Sequence, residues 1–180
     1  MKNFKELLNK LTACSDAKEW AKDMTIEEVV ATCHRGDWLL WLAKRIDIGL
    51  QPLTLAKAHC ANTVRHLMTD ERSKNAIDVA IKFGEGNATI EELDAAADAA
   101  DAAAAYADAD AADSAAAYAA AADAADAAAA YADAAAAYAA AADAARKQNQ
   151  QLTADICRQY IGQLIIDKVN GTFVKEVNND

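Results

Sequence analysis

Apolar residues recur along this chain three and four positions apart, and no stretch alternates with period two for long enough to suggest a strand. The pattern predicts an all-α protein. Two local signals fix helix starts. Thr25-Ile26-Glu27-Glu28 and Thr89-Ile90-Glu91-Glu92 each place a threonine three residues before a glutamate. The hydroxyl can accept from a free amide of the first turn, and the glutamate can reach back to the cap amide. Helices should therefore open near residues 26 and 90.

The remaining elements follow from periodicity and punctuation. An N-terminal helix is expected over about residues 2–12. The helix from Ile26 runs to His34 and stops at Gly36. Asp37 caps the next, from Trp38 to about Ile46, and Gly49 with Pro52 forms a break. Thr54 caps a helix to about Met68, in which Ala56, Cys60, Val64 and Leu67 form one buried stripe. Ser73 caps another to Phe83, ended by Gly84-Glu85-Gly86. A last helix runs from Arg146 to about Lys168 and stops at Asn170-Gly171.

Between them lies a tract of different character. From Asp94 to Asp143 nearly every residue is Ala, Asp or Tyr. Alanine has the highest helix propensity, and no Gly or Pro interrupts the tract. At about 100° per residue, Asp94, Asp98, Asp101 and Asp108 share one side, with Tyr106 off it. Asp123, Asp126 and Asp133 also cluster, with Tyr131 and Tyr138 on another face. Asp110, Asp113 and Tyr118 break the register, which favours a hairpin turning near residues 108–114 over a rod of about 80 Å. The expected organisation is a compact helical body (1–93), a long Ala-rich arm (94–145) and a C-terminal segment (146–180) packing back on the body, as one domain overall.

Charge sharpens that division. The chain has 28 acidic and 18 basic residues. Ten of the acids and none of the bases lie between residues 94 and 145, so the rest of the chain is neutral. An acidic arm disfavours direct contact with nucleic acid or an anionic membrane, and suits a basic partner. No signal peptide opens the chain, and its four cysteines are scattered, so a cytoplasmic protein without disulfides is expected.

Candidate chemistry concentrates at one junction. Cys33-His34-Arg35-Gly36-Asp37-Trp38-Leu39-Leu40-Trp41 brings an imidazole, a guanidinium, a carboxylate and two indoles together. Such a set can stack on and hydrogen-bond a planar or anionic ligand, or anchor an interface. It also has a purely structural reading, with Asp37 as a cap and Trp38 and Trp41 as core one turn apart. Arg45, His59, Arg65 and His66 are the cationic neighbours a ligand would draw on. The Cys33-His34 and His59-Cys60 pairs and His66 match no zinc pattern, because adjacent helical residues point about 100° apart. No phosphate loop, nucleophile elbow or His-Glu-x-x-His helix occurs. No catalytic residue, metal or cofactor is expected.

The same segment carries a resemblance. Cys33 through Leu42 resembles the hallmark segment of a bacterial and phage immunity-protein family, the immunity-five-like domain. Leu53 to Ala56, Cys60-Ala61 and Val64-Arg65 resemble its following helix. Asp70-Glu71-Arg72 with Ala76-Ile77, then Gly86 to Leu93, and finally Asp155 to Arg158 are similar to later blocks in order, over residues 26–165. Relatives mix Arg, Glu or Trp into the alanine region, whereas here its other positions are almost all Asp or Tyr. The resemblance implies an all-helical fold and a non-enzymatic role in bacterial or phage conflict, where a toxin or defence component is bound and neutralised.

Two kinds of binding follow. In the first, the acidic arm meets a basic protein surface, and a mimic of DNA belongs to the same class. One-sided clustering of the aspartates argues against that mimic. In the second, the junction holds a nucleotide-type immune signal as a sponge, and paired alanine faces build a homo-oligomer.

Overall fold

In the computed structural model, residues 4–106 and 142–177 are described. All their regular structure is helical. The elements are α1 (Phe4–Lys10), α2 (Ser15–Trp20), α3 (Ile26–Thr32), α4 (Gly36–Arg45), α5 (Leu50–Asn62), a 3₁₀ turn (Arg65–Leu67), α6 (Glu71–Gly84), α7 (Ile90–Tyr106), α8 (Ala142–Cys157), a π turn (Arg158–Gly162) and α9 (Gln163–Val177). The predicted turn near 108–114, with Asp108, Asp123, Asp126 and Asp133, lies outside the described residues.

Both capping boxes form. Thr25 Oγ1 accepts from the Glu28 amide at 3.2 Å while Glu28 accepts from the Thr25 amide at 2.8 Å. Thr89 and Glu92 repeat the exchange at 3.3 and 2.7 Å. Other caps differ from expectation. Arg35, not Asp37, occupies the N-cap of α4, and Gly36 is its first residue rather than a stop. α5 begins after Gly49, with Pro52 in its first turn, where no amide is needed. Thr54 is therefore interior and buried, not a cap. Asp70 caps α6 by accepting from the Arg72 amide at 2.8 Å, which leaves Ser73 buried inside the helix. α5 ends at Asn62, so Leu67 falls on the 3₁₀ turn and is exposed instead of completing the stripe. α8 already includes Ala142 to Ala145, ahead of the predicted start at Arg146, and α9 continues through Asn170-Gly171. α2 is an element that periodicity did not predict.

Three helices end alike. After α1, α4 and α6 the chain turns through Thr12 (φ 59°), Asp47 (φ 59°) and Gly86 (φ 79°). Amides at Ala13, Ile48 and Asn87 then bond back to Leu8, Ala43 and Lys82 carbonyls at 2.9, 3.0 and 2.7 Å. These are Schellman closures, which favour glycine at the left-handed position. Only the third has one.

Among the described residues the packing has two main clusters, with a small third formed by Ala61, Met68 and Ile77. The larger core joins α1, α3, α4 and α5 to α8 and α9 through residues such as Phe4, Leu8, Val29, Leu39, Leu40, Cys157, Ile161 and Ile165. The second joins α5, α6 and α7 through Ala58, Ala76, Ala80, Phe83, Leu93, Ala96, Ala97 and Ala100. Glycines set two close approaches. A Cβ on Gly36 would lie 2.6 Å from the Thr153 carbonyl carbon, and one on Gly84 would lie 2.8 Å from Leu55 Cα.

Two substitutions should move stability in opposite directions. Gly36→Ala meets backbone and should cost about 1–3 kcal/mol, the usual range for overpacking. Thr12→Gly removes a β-branched residue from a left-handed turn and should gain about 0.5 kcal/mol, net of the extra freedom of glycine in the unfolded chain. Urea midpoints of the two variants against the parent check both signs.

Candidate functional site

The junction of α3 and α4 is built from both ends of the sequence. α3 stops because Cys33 turns extended (φ −59°, ψ 122°). From the π turn, Arg158 Nη1 donates to the Cys33 carbonyl at 2.7 Å and reaches the Val30 carbonyl at 3.4 Å. That cation therefore covers carbonyls at the end of α3, where a positive charge is favoured. The Cys33 thiol donates to the Arg35 carbonyl at 3.3 Å. Burial pushes this thiol up to about 11. Cys157 lies 4.0 Å from Cys60, sulfur to sulfur, and its thiol is also raised, first by the hydrogen bond with Cys60 and then by burial. Cys33, Cys60 and Cys157 are all buried, which makes them packing groups rather than exposed nucleophiles.

The candidate side chains line up on α4. At about 100° per residue, Asp37, Trp38, Trp41 and Arg45 share one side of this helix. Gly36, Leu39, Leu40 and Ala43 occupy the other side and are buried. Arg35 forks onto Asp37 through Nε and Nη2, with the Nε bond at 2.8 Å. Its guanidinium also lies 5.0 Å from the Trp38 ring centroid. Arg45 sits 5.8 Å from the Trp41 ring. His34 is exposed and meets Trp20 edge-on at 6.0 Å and Trp38 at 6.1 Å, while the two indoles are 5.8 Å apart.

Behind these rings is a cavity of about 260 Å³ between α1, α2 and α4. Among the described residues its lining is aliphatic and aromatic apart from Asp37 and the cysteines Cys14 and Cys33. Trp20, Trp38 and Trp41 all line it, and the chain has three tryptophans in total.

The structure thus brings His34, Arg35, Asp37, Trp38, Trp41 and Arg45 together. The other predicted cations are engaged elsewhere. His59 stacks flat on Tyr160 at 4.4 Å, and burial lowers its pKa, opposed by the charge of Glu85. Arg65 forks onto Asp78 at 2.7 and 2.9 Å and donates to the Lys74 carbonyl. His66 is exposed beside Asn62, Met68 and Lys74 in a separate shallow hollow. Of the acidic positions, Asp94, Asp98 and Asp101 are all exposed on α7, as their spacing predicts. Trp20, Cys14 and Arg158 were missed. Ala17, Trp20 and Ala21 do stand at helical spacing, and that was the available signal for α2. Among the described residues no group of three or more His, Cys, Asp or Glu is placed to hold a metal ion, and no helix is long and apolar enough to cross a membrane.

No protein-family model, curated protein or solved structure matches this chain.

The thiols provide a direct check on this geometry. At pH about 8 an aromatic disulfide reagent should titrate one fast thiol per folded chain, exposed Cys14, and the other three only on unfolding. More than one fast thiol would contradict the burial. Stability should also depend on alkaline pH. The Cys33 proton is held more tightly in the folded chain, so its contribution is complete below pH 9.0 and is lost as pH rises through about 11. Denaturant midpoints across that window should fall, and less steeply in Cys33→Ala.

Proposed function

We propose that this chain is a non-enzymatic binding protein of bacterial or phage conflict. It neutralises a toxin or defence component by laying its acidic helical arm on a basic protein surface. The observation that carries the reading is the division of α7. Leu93, Ala96, Ala97 and Ala100 are buried against α6, while Asp94, Asp98 and Asp101 face out. The described start of the tract, α7, is seated on α6 by its small apolar face and presents its aspartates outward. That charge continues through a tract with no compensating base.

Several features support this reading. A one-signed surface steers association with a basic partner and raises the on-rate. The likeness of Cys33 to Leu42 to the immunity-protein family supports the setting in conflict. The aspartates of α7 occupy one face, as suits a protein surface better than a two-faced imitation of DNA.

The nucleotide-sponge alternative loses its motivation at the junction. Arg35 is already forked onto Asp37, and Arg45, His59, Arg65 and His66 do not line the cavity. A phosphate would meet a carboxylate there and no free fork of donors.

Recovery of a partner with the tagged full chain tests the proposal. A basic protein should be retained at low salt. Its association rate should fall at least about tenfold between ionic strengths of roughly 0.01 and 0.15 M, as the screening length shrinks from about 30 to about 8 Å. The Asp94→Asn, Asp98→Asn, Asp101→Asn triple variant should lower the on-rate with little change in melting temperature. Retention of no protein, or an on-rate indifferent to salt and to these substitutions, would sink the reading.

A further inference from the structure

The cavity behind the tryptophans has a chemistry of its own, separate from the acidic arm. Protein interiors keep few voids larger than a water molecule. This one measures about 260 Å³ and opens beside the main core. All three tryptophans of the chain line it, from two different helices. α2, which forms part of the wall, has no fully buried residue of its own. It meets the body through Trp20, whose ring packs on His34 and Trp38.

We propose that this cavity binds a neutral aromatic molecule of one or two rings that carries a single N–H or O–H donor, with indole as the model compound. Size comes first. A cavity of about 150 Å³ holds benzene, so about 260 Å³ accommodates about ten non-hydrogen atoms, the size of a fused bicycle. Shape and polarisability come second. Indole walls at Trp20, Trp38 and Trp41 favour offset or edge-on aromatic packing of the guest.

Charge decides the rest. Asp37 supplies the one carboxyl group among the described residues of the wall. Arg35 occupies two of its acceptor positions and balances its charge. A carboxylate has about four lone-pair sites, so acceptor capacity remains for a guest donor. A cationic guest would add an unbalanced charge to an apolar space, and an anionic guest would face the carboxylate with no cation in the wall. The site therefore selects a neutral molecule, and a hydrogen bond to Asp37 orients it.

Cys14 makes the site observable. Cys14 lines the cavity and is exposed to solvent. A bound guest should shield it. The test uses the full chain, isothermal titration calorimetry, and the alkylation rate of Cys14, with indole as probe. Indole should bind with a dissociation constant below about 1 mM and slow alkylation several-fold at saturation. 1-Methylindole, which has the same rings and no donor, should bind at least about tenfold more weakly, the expected loss for a hydrogen bond to a charged acceptor. Indole-3-carboxylate should show no heat and no protection.

Ala17 lines the cavity from α2 and is half-buried. Ala17→Phe should fill the space and abolish both heat and protection. If that variant loses its cooperative melt, the methyl-indole comparison on the parent chain decides alone. Neither heat nor protection by indole at millimolar concentration would overturn the proposal. So would equal binding of indole and 1-methylindole, or unaltered binding by a folded Ala17→Phe chain. None of these outcomes touches the arm, so this site and the protein-binding reading fail independently.

Discussion

The structure depends on how closely α8 can cross the start of α4. At Gly36 the helices are so near that a Cβ would lie 2.5 Å from Thr153 Oγ1 and 2.6 Å from the Thr153 carbonyl carbon. Only glycine permits this approach. Around the crossing, weak polar contacts converge from four segments. The Cys157 thiol reaches the Gly36 carbonyl at 3.6 Å, the Cys60 thiol reaches the Thr153 carbonyl at 3.8 Å, and Arg158 bonds the Cys33 carbonyl. α3, α4, α5 and α8 are thereby fixed at one point. With Gly36, Leu40 and Ala43 turned inward by that crossing, the opposite side of α4 must carry Asp37, Trp38 and Trp41 to the partly open side. The placement of the aromatic cavity follows from a glycine that never touches it.

A second small-residue approach places α7, the described start of the acidic tract, against α6. Gly84 lets α6 close on Leu55 of α5. α7 then lies on α6 over Ala76, Ala80, Ala96, Ala97 and Ala100, with Phe83 and Leu93 as the large side chains. An alanine contributes far less burial than a leucine, so this interface gains mainly from close contact along its length. The same small residues that permit it leave every third or fourth position free for aspartate. Anchoring and charge display come from one periodic pattern.

What could be read from the sequence divides along the same physical line. Signals contained within four residues held, as at Thr25-Glu28 and Thr89-Glu92, because both partners of a capping box are local. Caps assigned from a single residue type failed at Asp37, Thr54 and Ser73. Burial placed Thr54 and Ser73 inside helices, and Arg35 claimed Asp37 as a side-chain partner. Gly36 was misread as a stop because its role is a contact with a residue over a hundred positions away. At the site, Arg35, Asp37, Trp38 and Trp41 were legible because one helical turn groups them. Trp20 and Cys14 were not, since they come from a helix of six residues, too short to show periodicity. His59, Arg65 and His66 were grouped by chemistry alone, and the chain gave them to Tyr160, Asp78 and an exposed turn.

The body and arm also differ in how charge is balanced. In the body, guanidiniums find carboxylates close by: Arg35 with Asp37, Arg65 with Asp78, Arg72 with Asp70, and Arg158 with Asp155. Such pairs contribute little to stability where exposed, but each cancels its own field within a few ångströms. The net charge of −10 is thus concentrated where no pairing base exists, between residues 94 and 145. Beyond a screening length of about 8 Å at physiological salt, a partner senses the arm only when it is near it. Local pairing in the body therefore confines the uncompensated charge of the chain to the Asp-rich tract, away from the apolar cavity that α2 and α4 line.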